Sequence, residues 1–153
     1  MMKDIDEILK NREFLDIATC DLNAKPNVAP KLLLKFNKRL IYVVDHVMGA
    51  SFHNLKVNPR VSISVMDIDN LTGYQINGPV EIVDSGLEYQ QVLEELSDRK
   101  IKLSVERIVE AVGRNKKHQN YELMLPDKFV IFKIKIEEIV EIALSGKLIR
   151  EKI

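Results

Sequence analysis

The sequence predicts a mainly β (α+β) fold, a small antiparallel barrel or sandwich of about six strands decorated with helices. Strict alternation is the first observation: Val61, Ile63 and Val65 share one face of a predicted strand, and two serines occupy the other. The second observation is that only one of the connections between predicted strands is clearly a helix of crossover length. Parallel strands would each need such a crossover, so an antiparallel architecture is favoured.

The first third of the chain is predicted to form a helix followed by an antiparallel meander. Residues 4–11 suit a short helix, because Ile5, Ile8 and Leu9 recur at helical spacing after acidic residues in the first turn. Apolar extended runs follow, separated by turn-forming residues, and the predicted strands span 14–20, 27–36 and 39–45.

The rest of the chain is predicted to supply three more strands and an insertion of two helices. Residues 74–83 alternate, and Gly78-Pro79 in the middle of this run indicates a bulge or an edge strand. Apolar spacing predicts a helical insertion over 87–119, in which a second helix begins near Ser104. The remaining predicted segments are a polar loop over 114–120, a long strand over 128–142 and a tail over 144–153.

Length and composition predict a single domain over residues 1–153 that needs neither disulfides nor metal. Lysine plus arginine and aspartate plus glutamate both number 23, so the formal charge is zero, and a dedicated nucleic-acid binder is not expected. No apolar run reaches the length of a membrane span, and the N-terminal residues are too polar for a signal peptide. Because Cys20 is the single cysteine, we expect a cytoplasmic protein.

The segment between the strand-like runs 40–44 and 61–66 is predicted to contain a short capped helix over 52–57. Ser51 suits the N-cap, and Pro59 ends the helix because proline lacks an N–H. Such a helix directs backbone N–H groups and the positive end of its dipole at one spot, which favours an anion such as phosphate. The alternative is an ordinary crossover helix that is capped by its own serine and binds nothing.

None of the common catalytic motifs occurs in the chain. We find no defensible Ser-His-Asp order, no Walker loop and no HExxH motif. Three separated histidines and one cysteine give no zinc-binding spacing, so no metal site is expected. Motifs of this kind therefore assign no reaction to the chain.

Three blocks of sequence nevertheless occur in an order typical of one family. The first is Ala-Thr-Cys-Asp at 18–21 with Lys-Pro-Asn-Val-Ala-Pro-Lys at 25–31, the second is Ser51 to Val61, which contains Asn-Leu-Lys-Val-Asn-Pro-Arg-Val, and the third is Gly-Tyr-Gln-Ile-Asn-Gly-Pro-Val-Glu at 73–81. Residues 133–143 are similar to the family's final strand. On these blocks the chain resembles the pyridoxamine 5'-phosphate oxidase-related flavoproteins, the FMN-binding split β-barrels.

The resemblance implies a six-stranded antiparallel split β-barrel that forms a homodimer, with one FMN per subunit near the interface. In the family one strand lies along the isoalloxazine ring, and the matching positions here are Asn27, Val28, Ala29, Pro30 and Lys31. The end of the next strand and the short helix take the phosphate. The matching positions are Val44, Asp45, His46, Met48, Gly49, Ala50 and Ser51, with Asn54 nearby.

The chain departs from the family pattern at the proposed phosphate site. Ala50 and Ser51 stand where many members have basic residues, and a phosphate carries nearly two negative charges at neutral pH. Lys31 is interpreted either as a neighbour of the flavin N1–C2 carbonyl or as a solvated strand lysine. His46 and His53 flank the site, either as phosphate ligands or as surface histidines.

We therefore expect an FMN-binding flavoprotein that acts as a flavin-dependent oxidoreductase on an unidentified small molecule. F420 or haem in place of FMN, a non-enzymatic carrier or sensor, and a cofactor-free structural dimer remain as alternatives. Oxidation of pyridoxamine phosphate is not expected, because the family's substrate-phosphate arginines have no counterpart near the C-terminus, where Arg150 is isolated.

Overall fold

A computed structural model of the chain describes residues 1–113 and 128–153. Within that part, the helices are α1 (Met2–Lys10), α2 (Ala50–Val57) and α3 (Gly86–Gly113). The strands are β1 (Phe14–Cys20), β2 (Pro26–Asn37), β3 (Leu40–Asp45), β4 (Arg60–Asp67), β5 (Thr72–Val83), β6 (Val130–Lys135), β7 (Glu138–Ile142) and β8 (Leu148–Lys152). The mainly β prediction is confirmed.

Six of these strands form a closed antiparallel barrel. The pairing runs β4-β1-β2-β3-β6-β5, and β4 also pairs with β5, which completes the ring. The predicted meander corresponds to β1, β2 and β3, with β1 at the predicted bounds. β7 and β8 extend the sheet outward from β5 as an antiparallel hairpin.

The C-terminal third of the chain differs from the prediction of one long strand and a tail. The predicted strand over 128–142 is divided into β6 and β7, because the chain changes partner between them. The Ile136 N–H donates to the Arg39 carbonyl beside β3, and the next N–H, of Glu137, donates to the Asn77 carbonyl in β5. Residues 148–152 of the predicted tail form β8.

Gly78 marks close packing of two backbones, not the predicted bulge or edge. β5 pairs continuously with β4 through this position and is flanked on its other side by β7 and then β6. A Cβ at Gly78 would overlap the carbonyl oxygen of Lys135, at the end of β6. A glycine is therefore required at the point where the pairing partner of β5 changes from β7 to β6.

The predicted pair of inserted helices is a single helix in the structure. α3 continues through Ser104, because an interior serine lowers helix propensity only modestly. Residues 114–119 of the predicted insertion, and the predicted loop at 114–120, lie outside the described residues. None of the described helices combines the length and apolar character needed to cross a membrane.

Two apolar clusters lie on the two faces of the barrel wall. The interior cluster contains Val61, Ile63 and Val65, as their alternation predicts, and Ile5 and Leu9 of α1 pack against the same interior. The second cluster lies on the outside, where α3 covers residues of β2, β3 and β6; its members include Leu32, Val44, Val92, Leu96 and Ile131. Burial of each such side chain contributes about 1.5–3 kcal/mol relative to exposure.

Polar contacts fix the N-terminal part of α3 on the barrel. The Tyr42 hydroxyl donates to Glu88 Oε1 at 3.0 Å, and Lys133 Nζ lies 2.9 Å from the same oxygen. Hydrogen bonding from Lys133 holds the pKa of Glu88 below its usual value, and the same bond raises the pKa of Lys133. A third link joins Lys35 to Glu95 at 2.8 Å.

Candidate functional site

A cleft of about 370 Å³ lies where β2, the loop after β3 and the first turn of α2 meet. The strand contributes residues between Asn27 and Leu32. The loop over 46–49 turns the chain from the barrel wall into α2, with Met48 at a positive φ of 49°. The cleft is lined by Phe14, Asn27, Ala29, Pro30, Lys31, Leu32, His46, Val47, Gly49, Ala50 and Ser51.

Eight of the thirteen positions taken from the family resemblance line this cleft. They are Asn27, Ala29, Pro30, Lys31, His46, Gly49, Ala50 and Ser51. The two groups that the resemblance assigned to the ring and to the phosphate are therefore adjacent in space. Whether these residues hold a cofactor remains a prediction.

The other five positions do not line the cleft, for separate reasons. Val28 is 64% exposed, Val44 is buried in the outer cluster under α3, and Met48 packs against the barrel interior. Asp45 is fully buried next to Lys31. The Asn54 amide donates to the Thr19 hydroxyl at 3.1 Å and so joins α2 to β1.

The start of α2 differs from the prediction that Ser51 is its N-cap. Gly49 is the N-cap residue, and its carbonyl accepts the His53 N–H at 3.1 Å. Ser51 lies inside the first turn and is 2% exposed, and its hydroxyl accepts a hydrogen bond from the Asn27 amide at 3.0 Å. The serine therefore links the helix to β2 and leaves the first N–H groups of α2 without a side-chain cap.

Lys31 is not the solvated lysine that one interpretation expected. Its side chain is 7% exposed, and its Nζ lies 2.7 Å from Asp45 Oδ1, while Asp45 itself is completely buried. Asp45 Oδ1 also accepts the Val47 N–H at 3.4 Å, which connects the ion pair to the loop that leads into α2. Asp45 Oδ2 is buried and has no hydrogen-bond partner in the described part of the chain.

The electrostatic character of the cleft follows from a short inventory of its polar groups. Lys31 is the one lysine or arginine among the lining residues, and none of the lining residues is acidic. His46 is exposed in the cleft, whereas His53 is exposed outside it and its ring lies against Phe52 at 5.6 Å. No group of three or more His, Cys, Asp or Glu in the described ranges could hold a metal ion.

Three lining residues were missed by the sequence reasoning. Phe14, Leu32 and Val47 give the cleft an apolar wall. The pairing of Phe14 with Leu32 across β1 and β2 places the two side chains together, and a register of this kind cannot be obtained from periodicity alone. Val47 carried a usable signal, because it is an apolar residue between two positions that the resemblance had assigned to the site.

The family model of pyridoxamine 5'-phosphate oxidase matches residues 1–143. No curated protein matches the chain.

Three of the similar solved structures differ in their described roles. A pyridoxamine 5'-phosphate oxidase-related, FMN-binding protein from Nostoc punctiforme is 13% identical with a TM-score of 0.60, and the match covers 99% of this chain and 95% of that one. The haem storage protein HutZ from Vibrio cholerae is 21% identical with a TM-score of 0.59, covering 88% and 89%. An F420 reductase is 18% identical with a TM-score of 0.57, covering 88% and 94%. At these identities the likeness concerns the fold.

Proposed function

This chain belongs to the pyridoxamine 5'-phosphate oxidase family, and we propose that it binds FMN in the cleft between β2 and α2 and acts as a flavin-dependent oxidoreductase. The observation that carries the proposal is the meeting of the two sets of family positions in one cleft. When bound, FMN would supply the redox chemistry. This division of labour agrees with the absence of a catalytic motif in the sequence.

The residues of the cleft fit the parts of FMN by their chemistry. Phe14, Ala29, Pro30 and Val47 offer apolar contact for a flat ring. The first-turn N–H groups of α2 have no intrahelical acceptor and form the positive end of the helix dipole, so they suit the phosphate. Lys31 lies along β2, where its ammonium would donate to a ring carbonyl.

The absence of a basic side chain at Ala50 and Ser51 is expected to lower the affinity for FMN. With Lys31 paired to Asp45, the phosphate would rely on backbone N–H groups and the Asn27 and His46 side chains. Charge-assisted hydrogen bonds are roughly twice as strong as neutral ones. We therefore propose that FMN binds more weakly here than in relatives with a lysine at the start of the helix.

A homodimer is part of the proposal. The outer face of the barrel beside the cleft carries exposed apolar side chains, Phe14 at 48% and Val28 at 64%, and Val47 in the adjacent loop is 67% exposed. In the register of β1 with β2, Phe14 is opposite Leu32, and Val28 is four residues before Leu32. Side chains alternate between the two faces of a strand, so Phe14 and Val28 lie on the same face of the sheet. A second copy of the chain over this face would bury these residues and close the cleft from outside.

The decisive experiment is an absorbance spectrum of the protein purified without added cofactor, repeated after titration with FMN and desalting. The two visible bands of oxidised flavin, retained after desalting, are the expected result. A spectrum that stays blank after the titration would overturn FMN binding and leave the cofactor-free dimer in its place. Titration with F420 distinguishes the deazaflavin alternative in the same assay.

Haem is the second candidate, because His46 is an exposed imidazole in the cleft. Imidazole is a common axial ligand of haem iron. A Soret band after haem titration that disappears in His46→Ala would support this candidate. A Soret band that survives the substitution would place the haem elsewhere.

A further inference from the structure

The floor of the cleft contains a cation with its own counterion. Lys31 Nζ lies 2.7 Å from Asp45 Oδ1, and the two side chains are 7% and 0% exposed. Lys31 lines the cleft, whereas Asp45 is not among the lining residues. A ligand in the cleft would therefore meet the lysine directly and the carboxylate behind it.

The strand register keeps this pair in place. Lys31 lies opposite Leu15 in β1, whose side chain belongs to the barrel interior. Lys31 and Asp45 are each one residue beyond the paired Leu32 and Val44, so both side chains are directed inward at the end of the barrel. The Val47 N–H holds the same Asp45 oxygen at 3.4 Å, so a large movement of the carboxylate would disturb the loop before α2.

The negative charge of Asp45 offsets the positive charge of Lys31, but the ammonium group of Lys31 still has hydrogen-bond donors that Asp45 does not use. An ammonium has three donors, and Asp45 is the single partner of Lys31 in the described part of the chain. Two donors are thus left for a ligand. Because opposite charges in contact nearly cancel at a distance, an anion gains little here, while a neutral carbonyl oxygen can still accept a hydrogen bond.

We propose that Asp45 is a positioning residue that offsets the charge of Lys31, so that the cleft floor selects a neutral hydrogen-bond acceptor and gives little net stabilisation to an anion. This inference rests on the proposed function for its ligand, the isoalloxazine ring. The phosphate is then restricted to the α2 end of the cleft. Reduction of the ring adds negative charge, so Asp45 keeps the reduction potential of the bound flavin low.

A double-mutant cycle on the pair tests the inference through the potential of bound FMN, with dithionite as the electron donor. Asp45→Asn exposes the ring to an uncancelled ammonium and should favour the reduced form about tenfold, or about 30 mV for a two-electron couple. Lys31→Gln leaves the carboxylate alone and should shift the potential in the opposite direction. Lys31→Gln/Asp45→Asn has no charge on either side chain and should return close to the wild-type potential.

If Lys31 affects the flavin and Asp45 has no influence, the reduction potentials of the variants follow a different pattern. The double variant would then have the lowered potential of Lys31→Gln, and Asp45→Asn would be unchanged; either result overturns the inference. Thermal unfolding of each variant checks the fold, since removal of one partner of a buried pair is strongly destabilising. If Asp45→Asn fails to fold, the double variant decides: a wild-type potential supports cancellation, and a lowered one contradicts it.

Thiocyanate binding to the cofactor-free protein supplies a readout that needs no flavin. The wild type, Lys31→Gln and the double variant should bind thiocyanate alike by calorimetry, through the N–H groups of α2 alone, and Asp45→Asn should bind the anion more tightly. If FMN does not bind to the wild type but Asp45→Asn binds thiocyanate more tightly, the proposed flavin function fails while the charge cancellation stands. If Asp45→Asn binds thiocyanate no better than the wild type, the cancellation itself is wrong.

Discussion

The side-chain amide of Asn27 donates to the Ser51 hydroxyl at 3.0 Å and joins β2 to the first turn of α2. The two residues come from the two family segments that were assigned to the ring and to the phosphate. Both line the cleft, and Ser51 is 2% exposed. This bond therefore fixes the distance between the ring-binding strand and the phosphate-binding helix of the proposed site.

Removal of this link should weaken FMN binding. Ser51→Ala takes away the acceptor of Asn27 and a hydroxyl beside the proposed phosphate position, and a net loss of about 1 kcal/mol corresponds to a roughly fivefold higher Kd. Fluorescence titration with FMN measures the change. Asn54→Ala is the matched control, because it cuts another α2 tether, to Thr19, outside the cleft. Equal Kd values for Ser51→Ala and the wild type would show that the phosphate does not bind at this helix.

A lysine at position 50 should strengthen binding of the phosphate. Ala50 is exposed in the first turn of α2, so the new side chain can be accommodated without repacking. A charge-assisted contact in Ala50→Lys is expected to lower the Kd for FMN about tenfold. Riboflavin, which lacks the phosphate, is the control ligand and should bind both proteins alike. A gain for riboflavin of the same size would show that the lysine acts on the ring.

Gly78→Ala should destabilise the barrel strongly. The added Cβ would overlap the Lys135 carbonyl oxygen, and relief requires β5 and β6 to separate where the barrel closes. Overpacking of this kind costs about 1–3 kcal/mol, measurable as a lower urea midpoint. Gly73→Ala in the same strand is the control, because its Cβ would lie 3.6 Å from the Ile142 Cβ, at ordinary contact distance. Similar losses in the two variants would contradict the role assigned to Gly78.

The attachment of α3 should weaken in acid through Glu88. Its pKa is lowered chiefly by the hydrogen bond from Lys133, so the ionised form stabilises the fold above the ordinary carboxyl pKa. That contribution is lost as the pH falls through the lowered pKa of Glu88. The difference in urea midpoint between wild type and Glu88→Gln should thus be present at pH 7 and smaller at pH 3. Glu94→Gln, at an exposed position of α3, should behave as the wild type at both pH values.

Val28→Asp should prevent the proposed dimer from forming. A carboxylate on the outer face of β2 would have to be buried without a partner at the interface, which is costly. Light scattering at micromolar concentration should show a dimer for the wild type and a monomer for the variant. Leu144→Asp, at a position that is 73% exposed away from this face, should remain dimeric. A monomeric wild type would contradict the dimer directly.

The barrel strands were predictable because burial and alternation coincide in them. Val61, Ile63 and Val65 are all buried in β4, and the apolar run of β1 has the predicted bounds. In such strands one face must be apolar to fill the barrel, so the periodicity of the sequence reports the structure.

β8 could not be predicted in this way. All five of its residues are exposed, so no alternation distinguishes its two faces. Its position is set by hydrogen bonds to β7 and by the turn at Gly146, which has a φ of 77°. Sequence periodicity cannot reveal a strand that is held by backbone hydrogen bonds and has no buried face.

The misassigned cap at Ser51 has a different cause. A serine before an apolar segment is a common N-cap, and the local sequence satisfies that rule. The competing partner is Asn27, which comes from β2 and meets Ser51 only in the folded protein. The same limit applies to Lys31 and Asp45, whose pairing depends on the register of β2 and β3.

The position of β6 in the barrel has a kinetic consequence. β6 lies between β3 and β5, and its pairing with β3 brings Asp45 together with Val130, far along the chain. The β1–β2–β3 meander and the β4–β5 hairpin are local and can form early, but the ring closes only when this late segment arrives. The entropy of closing this loop is lost before the new contacts compensate for it, so this closure is expected to limit the rate of folding. Until then β3 and β5 keep open edges, at which nascent chains can associate.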